Sequence, residues 1–344
     1  MMFYKHAALN LSVALSVVLA LPANADSASF SAIGMNDASS WTIGTLCRGN
    51  NPRCGGGGGS TDPVVNEPEV SQPTYYNWMS PEIRDAWSQG ATGLGTVVTS
   101  IDDFNSNNRF RGNLGDGSKR LRHGEWVDAQ IGMIAPDAVR ATQDFNSGKT
   151  VRLTSGKLNA LNLSYGMFGQ AGFLGVIGWS NQEKSIIDYA TKGTAVVVKA
   201  AGNDSVAIGA TNANGLVDYL NRDLIGAQSA IFAGALDRNG TQSNQARLAS
   251  YSNFAGTNAT VQNQFLTVGV RGDLTSLYGP SFAAPVISGY AAVIGSKFTT
   301  ATPTMIAQQL LKTARTDTIE GYSAAVHGRG EASIAHALAP ASIN

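Results

Sequence analysis

Two hydrophobic rhythms alternate along the chain. Thr96-Val97-Val98-Thr99-Ser100-Ile101 and Ala160-Leu161-Asn162-Leu163-Ser164 are short β-rich runs. Thr194 to Lys199 is almost continuously apolar, the pattern of a strand covered on both faces of a parallel sheet. Ile231 to Ala235 and Phe265 to Val270 are the remaining predicted strands. Between the strands fall helical signals. Ser180-Asn181-Gln182-Glu183 is a capping box opening a helix that stops at Gly193. Thr302-Pro303 sets a cap and a first-turn proline ahead of Ile306, Leu310 and Leu311. His123 directly precedes a helical pattern running to Ile134, an apolar helix is expected over Val286 to Ile294, and His336 falls in a last short helix. Strands alternating with helices predict an α/β domain around a mostly parallel sheet.

The N-terminus carries a different signal. Lys5 and His6 precede an apolar run from Leu11 to Leu21, and Ala23-Asn24-Ala25 supplies the small-x-small pattern of a leader cleavage site. The run is too short to span a membrane, and no later stretch is long enough either. Residues 1–25 are therefore expected to be a signal peptide, with the mature chain periplasmic or secreted. In an oxidising compartment Cys47 and Cys54, joined by a short turn-forming loop, are expected to form a disulfide. Gly55 to Gly59 and the Pro-spaced polar stretch to Pro73 read as a linker. The expected organisation is thus a small segment over 26–74 and one large domain over 75–344.

Composition narrows the class of partner. The 344 residues carry 24 basic and 24 acidic side chains, so there is no basic surplus for electrostatic binding of nucleic acid. Charged residues are only 14% and glycines number 39, a balance that suits an exported protein.

Removing the leader leaves His123, His327 and His336 as the available histidine acid/base groups. His327 is expected in a glycine-flanked loop. Asp102 closes the first predicted strand, where open α/β sheets place active sites. Asn203 follows the strand ending at Lys199, in Ala200-Ala201-Gly202-Asn203. Ser281 precedes an apolar helix, whose positive dipole end favours negative charge developing nearby. A turn aspartate, a turn asparagine and an N-cap serine are ordinary features singly. Together with His123, each at the end of an element, they outline a site.

These segments resemble, in order, the subtilisin-like serine proteases. The segment Trp87 to Asp103 is similar to the family's catalytic-aspartate strand, and His123-Gly124-Glu125-Trp126-Val127 to its histidine motif. Met133 to Ala138, Leu163-Ser164-Tyr165-Gly166 and Leu248 to Phe254 resemble later family segments. Ala200-Ala201-Gly202-Asn203 matches the oxyanion-asparagine motif, and Gly279-Pro280-Ser281-Phe282-Ala283-Ala284-Pro285 is similar to the serine motif. The resemblance spans roughly residues 80 to 340. Trp126, Pro280 and Val286 depart from the family pattern, replacing histidine, threonine and histidine. No segment resembles the family's inhibitory propeptide.

The resemblance implies a three-layer domain with a seven-stranded type of parallel sheet and helices on both faces. It implies acyl transfer by Ser281, with His123 as general base, Asp102 orienting the imidazole and Asn203 donating to the oxyanion. Asp103 competes with Asp102 for the aspartate's place, and the motif favours Asp102. Ser164-Tyr165-Gly166 and Ala200-Ala201-Gly202 would wall the pocket for the residue before the cleaved bond. Neither wall holds a carboxylate, so an endopeptidase cutting after Phe, Leu, Tyr or Met is expected. An insertion between Asn203 and Ala230 that closes the pocket would narrow specificity instead. The expected partners are polypeptide substrates, not nucleic acid; no cofactor is implied, and a structural calcium and the oligomeric state are left open. The competing readings are a catalytically silent module of the same fold, a dinucleotide-binding domain and another serine hydrolase. The glycines at Gly90, Gly93 and Gly95 precede a strand rather than follow one, against the second. Ala283 stands where a nucleophile elbow needs glycine, against the third.

Overall fold

A computed structural model of the chain describes Tyr4–Ala7 and residues 73–343. The rest of the expected leader, Cys47 and Cys54, the glycine run and most of the linker lie outside the described residues. In chain order the strands are β1 (Tyr4–Ala7), β2 (Thr96–Asp102), β3 (Phe110–Gly112), β4 (Lys119–Leu121), β5 (Val139–Asp144), β6 (Leu158–Leu163), β7 (Tyr165–Gln170), β8 (Val196–Ala200), β9 (Leu216–Asp218), β10 (Ala230–Leu236) and β11 (Phe265–Gly269). The helices are α1 (Glu82–Ser88), α2 (His123–Ile134), α3 (Asn181–Lys192), α4 (Tyr219–Leu224), α5 (Ala259–Gln262), α6 (Gly272–Thr275), α7 (Ala284–Lys297), α8 (Pro303–Lys312), α9 (Ala324–His327) and α10 (Ile334–Leu338). A 3-10 turn, Pro280–Phe282, leads into α7.

The central sheet is parallel throughout, in the order β11-β10-β8-β6-β2-β5. Alternate residues of its strands serve different layers. Val196 and Val198 of β8 pack with α1, α2, α7, α8 and α10, while Val197 packs on the other face with α3 and α4. Helices therefore cover both faces, the α/β three-layer arrangement expected. The α7 helix is apolar on all sides because it lies under the sheet and beneath other helices.

Among the described residues six strands form this sheet, rather than the seven expected. Beyond β11 the chain supplies a single parallel bridge, Thr267 to Glu331. Gly328 and Gly330, both at positive φ, turn the chain away on the other side of that contact. His327 ends the one-turn helix α9 rather than sitting in a loop. Ser180 caps α3 without closing the expected capping box, its Oγ accepting Gln182 N–H, while Thr302 Oγ1 accepts Met305 N–H and Gly193 ends α3 at φ 65°.

A second, three-stranded sheet lies beside the first in the order β1-β7-β9, antiparallel at both joins. Tyr4–Ala7, within the expected leader, is thus paired with Tyr165–Phe168. No described helix is long and apolar enough to cross a membrane.

Candidate active site

The candidate residues gather where the parallel strands end. β2 is buried along its whole length and delivers Asp102 at its last position. The next residue, Asp103, turns away, its carboxylate accepting from the Ser106 backbone and hydroxyl. Asp102 Oδ1 instead lies 2.6 Å from His123 Nδ1. His123 is the first residue of α2 and only 2% exposed. Its placement depends on Gly124: a Cβ there would lie 2.9 Å from Asp103 O, so glycine lets the helix start against the end of β2. The imidazole is flanked by Phe282, ring centroids 5.4 Å apart, and Phe110 at 6.1 Å.

Ser281 is fully buried in the 3-10 turn ahead of α7. Its Oγ donates to Ser164 O at 3.3 Å, and Ser164 Oγ donates back to Ser281 O at 2.9 Å. The nucleophile candidate and the segment joining β6 to β7 are therefore tied together twice. Asn203 lies against the same turn. A Cβ at Gly279, φ 108°, would sit 2.9 Å from Asn203 Oδ1, so the turn closes on the amide only because residue 279 is glycine.

Four buried polar atoms here have no hydrogen-bond partner: Asp102 Oδ2, His123 Nε2, and both Oδ1 and Nδ2 of Asn203. Buried polar groups are nearly always paired, so unpaired ones clustered around the candidate residues set this place apart. With Nδ1–H donated to Asp102, His123 Nε2 is left as the acceptor, the tautomer a general base needs.

Several residues that hold this site escape sequence reasoning. Asn162 Nδ2 donates to Ser164 Oγ at 2.9 Å, and Ser288 Oγ donates to Asn162 Oδ1 at 3.1 Å. Gln130 Nε2 donates to Phe282 O at 3.1 Å, bracing the serine turn from α2. Asn253 pins the loop carrying Asn203, donating to Ala201 O and accepting from Asp204 and Val206 N–H. A polar residue inside the apolar run Ala160 to Leu163 was the available signal for Asn162, and Asn253 lies in the Leu248–Phe254 segment that resembles the family; Gln130 and Ser288 offered none.

The departures from the family pattern find structural uses. Trp126 is buried behind His123 and donates Nε1–H to Phe110 O at 3.2 Å, anchoring the β3–β4 hairpin. Pro280 opens the 3-10 turn, where a missing N–H costs nothing. Val286 is buried in the core.

The pocket walls differ in part from expectation. Tyr165 turns its ring into the opposite layer, edge-on to Phe145 at 5.7 Å, so only its backbone faces the site. Burial pushes its hydroxyl well above the usual tyrosine range. Ser164 is bonded to Ser281, Gly166 follows in β7, and Ala200, Ala201 and Gly202 lie at and just after the end of β8, Gly202 at φ 113° with Asn253 crowding it. A charge does reach this wall. The insertion after Asn203 folds as β9 and α4 and pairs β9 with β7, bringing Asp218 opposite Phe168. Asp218 Oδ2 lies 3.0 Å from where a Cβ on Gly166 would be, and 3.0 Å from Lys199 Nζ. The expectation of a wall without a buried charge fails because that carboxylate comes from a strand about fifty residues further along the chain. Beyond it, burial raises the Asp204 carboxyl, with the Asp218 charge adding to the effect while the Asn212 hydrogen bond opposes it.

The candidate Asp102 and Asn203 thus stand at and just after the carboxyl ends of parallel strands, while His123 starts α2 and Ser281 precedes α7, within an α/β three-layer fold. The chain belongs to the Subtilase family, whose profile matches residues 68–330; it is a subtilisin-like serine protease by family. Among solved structures it is similar in fold to the prenylagaramide maturation protease PagA, at 19% identity over 75% of this chain and 98% of that one, TM-score 0.51. A protease from Pseudoalteromonas arctica is similar at 20% identity, covering 79% and 97% of the two chains, TM-score 0.50. A search of curated proteins gives no match.

Proposed function

We propose that the protein is an exported serine endopeptidase that hydrolyses peptide bonds through Asp102, His123 and Ser281. The reading rests on one observation above others: the 2.6 Å contact of His123 Nδ1 with Asp102, with His123 Nε2 buried and unpaired and its ring against Phe282, the residue after Ser281. In this mechanism Ser281 Oγ attacks the peptide carbonyl while His123 Nε2 takes its proton. Asp102 stabilises the imidazolium, and the proton then passes to the leaving amine. Asn203 Nδ2–H donates to the oxyanion, which is why that amide carries no partner beforehand. Water repeats the sequence on the acyl-enzyme. The polypeptide substrate carries an apolar side chain before the cleaved bond, because the Asp218 carboxylate beside Gly166 is already paired with Lys199. Export, to the periplasm or beyond, rests on the leader motif ending at Ala25 and carries with it a Cys47–Cys54 disulfide.

The test is labelling with a fluorophosphonate, which modifies only an activated serine quickly. The mature chain is expected to label within minutes and the Ser281→Ala variant not at all. A correctly folded wild-type chain that stays unlabelled would favour the catalytically silent module.

A further inference from the structure

The β7 edge shows how an extended chain lies beside Ser281. β1 runs antiparallel to it, with His6 opposite Gly166 and Ala7 opposite Tyr165. A substrate strand laid in that register places its next residue opposite Ser164, whose carbonyl is 3.3 Å from the Ser281 hydroxyl. Directly opposite residues in an antiparallel pair project to the same face. The side chain before the scissile bond therefore shares the face of Ser164, Gly166 and Phe168, since alternate residues of a strand point the same way.

That face is already filled beyond Gly166. A Cβ on Gly166 would meet the Phe168 ring at 2.5 Å and Asp218 Oδ2 at 3.0 Å. Phe168 cannot settle deeper, because Asp218 pairs with it across the β7–β9 ladder and is itself fixed. The Asp218 carboxylate accepts from Met167, Leu220 and Asn221 N–H, and Lys199 Nζ, 2% exposed, holds it at 3.0 Å. The ring and the paired Asp218 carboxylate thus together fill the space over Gly166.

We propose that Phe168, backed by the Lys199–Asp218 pair, limits the depth of the pocket for the residue before the cleaved bond and restricts it to small side chains such as alanine, serine or glycine. This rests on the protease reading above and replaces the large apolar residues that the two wall segments alone suggest. Phe168 acts here as a specificity residue touching substrate, not as part of the proton relay.

The experiment uses the full exported chain and two irreversible probes, peptidyl diphenyl phosphonates identical except for Ala or Phe at the position bonded to phosphorus. Wild type is expected to react at least about tenfold faster with the Ala probe, since a few methylenes suffice for that ratio. Phe168→Ala is expected to lower the Ala-to-Phe rate ratio by at least about tenfold. Phe168→Leu falls between and serves if the alanine variant does not fold. A wild-type preference for the Phe probe, or an unchanged ratio in the folded variants, would overturn the assignment. So would reaction with a non-peptidic fluorophosphonate but with neither peptidyl probe, which leaves the protease reading standing. Failure of all three probes on folded wild type would instead remove the protease reading, and this proposal with it.

Discussion

Asp102 and Asp218 each close a strand, each is buried, and each faces a basic nitrogen: His123 Nδ1 at 2.6 Å and Lys199 Nζ at 3.0 Å. Their surroundings differ. Asp218 accepts from Met167, Leu220 and Asn221 N–H in addition to Lys199, and Lys199 also donates to Ala200 O at 2.7 Å. Around Asp102 the bonding stops short, with Asp102 Oδ2, His123 Nε2 and the Asn203 amide all unpaired. An unpaired buried polar group costs about 1–3 kcal/mol. A second group of unpaired buried atoms, Thr267 Oγ1, Thr318 Oγ1 and Glu331 Oε2, lies around Glu331. On the proposed reading, Asp218 serves structure and Asp102 serves chemistry, although both look alike by burial and charge.

The largest expected effect separates the two most sharply. Asp102→Asn should lower kcat/KM by roughly 10⁴-fold, because the amide favours the wrong imidazole tautomer. It should leave the denaturation midpoint unchanged or raised, since a buried charge disappears. A midpoint falling by more than that of a surface variant would mean Asp102 is structural after all. Lys199→Met should behave in the opposite sense. It strands the Asp218 carboxylate and should cost about 3–5 kcal/mol in chemical denaturation. A cost below about 1 kcal/mol would show that backbone N–H groups alone carry Asp218. Asn203→Ala comes next, with turnover reduced roughly 10²–10³-fold, about 2.7–4 kcal/mol, and little change in KM. A KM effect alone would make Asn203 a binding group rather than an oxyanion donor.

How much of this contrast is visible in sequence depends on distance along the chain. β2, β8, β10, β11 and the helices from His123, Asn181 and Pro303 follow from local patterning, because their burial is uniform or strictly periodic. β5 was not legible: Val-Arg-Ala-Thr-Gln-Asp sits at the sheet edge with its first four residues exposed, so no apolar rhythm marks it. β9 is three residues long and exists only through pairing with β7. The same rule holds for the site. Asp102, His123, Asn203 and Ser281 each stand at the end of an element whose pattern is readable. The Asp218 contact with Lys199, the Asn162–Ser288 bond and the brace from Gln130 to the serine turn join residues whose separation no local pattern encodes.

Glu331 gives a third buried carboxylate, intermediate between the two, and the smallest expected effect. It bridges to Thr267 at the free edge of β11, and its Oε1 accepts Gly240 N–H at 2.9 Å. Burial pushes its carboxyl from 4.5 up to about 7, with the Glu82 charge adding to the rise while the Gly240 N–H and Arg315 oppose it. The folded state therefore holds a proton that the unfolded chain has released over pH 4.5 to 7. Stability from this group is full below pH 4.5 and lost as pH rises through 7, by at most about 3 kcal/mol. His327, lowered by burial, contributes the opposite slope, but it is common to wild type and variant. The difference between wild type and Glu331→Gln in urea midpoint across pH 4 to 8 thus isolates the carboxylate. The glutamine variant should gain on wild type steadily through that window and level off above it. Parallel curves would show that Glu331 ionises freely in the fold and belongs, like Asp218, among carboxylates whose charge is already matched.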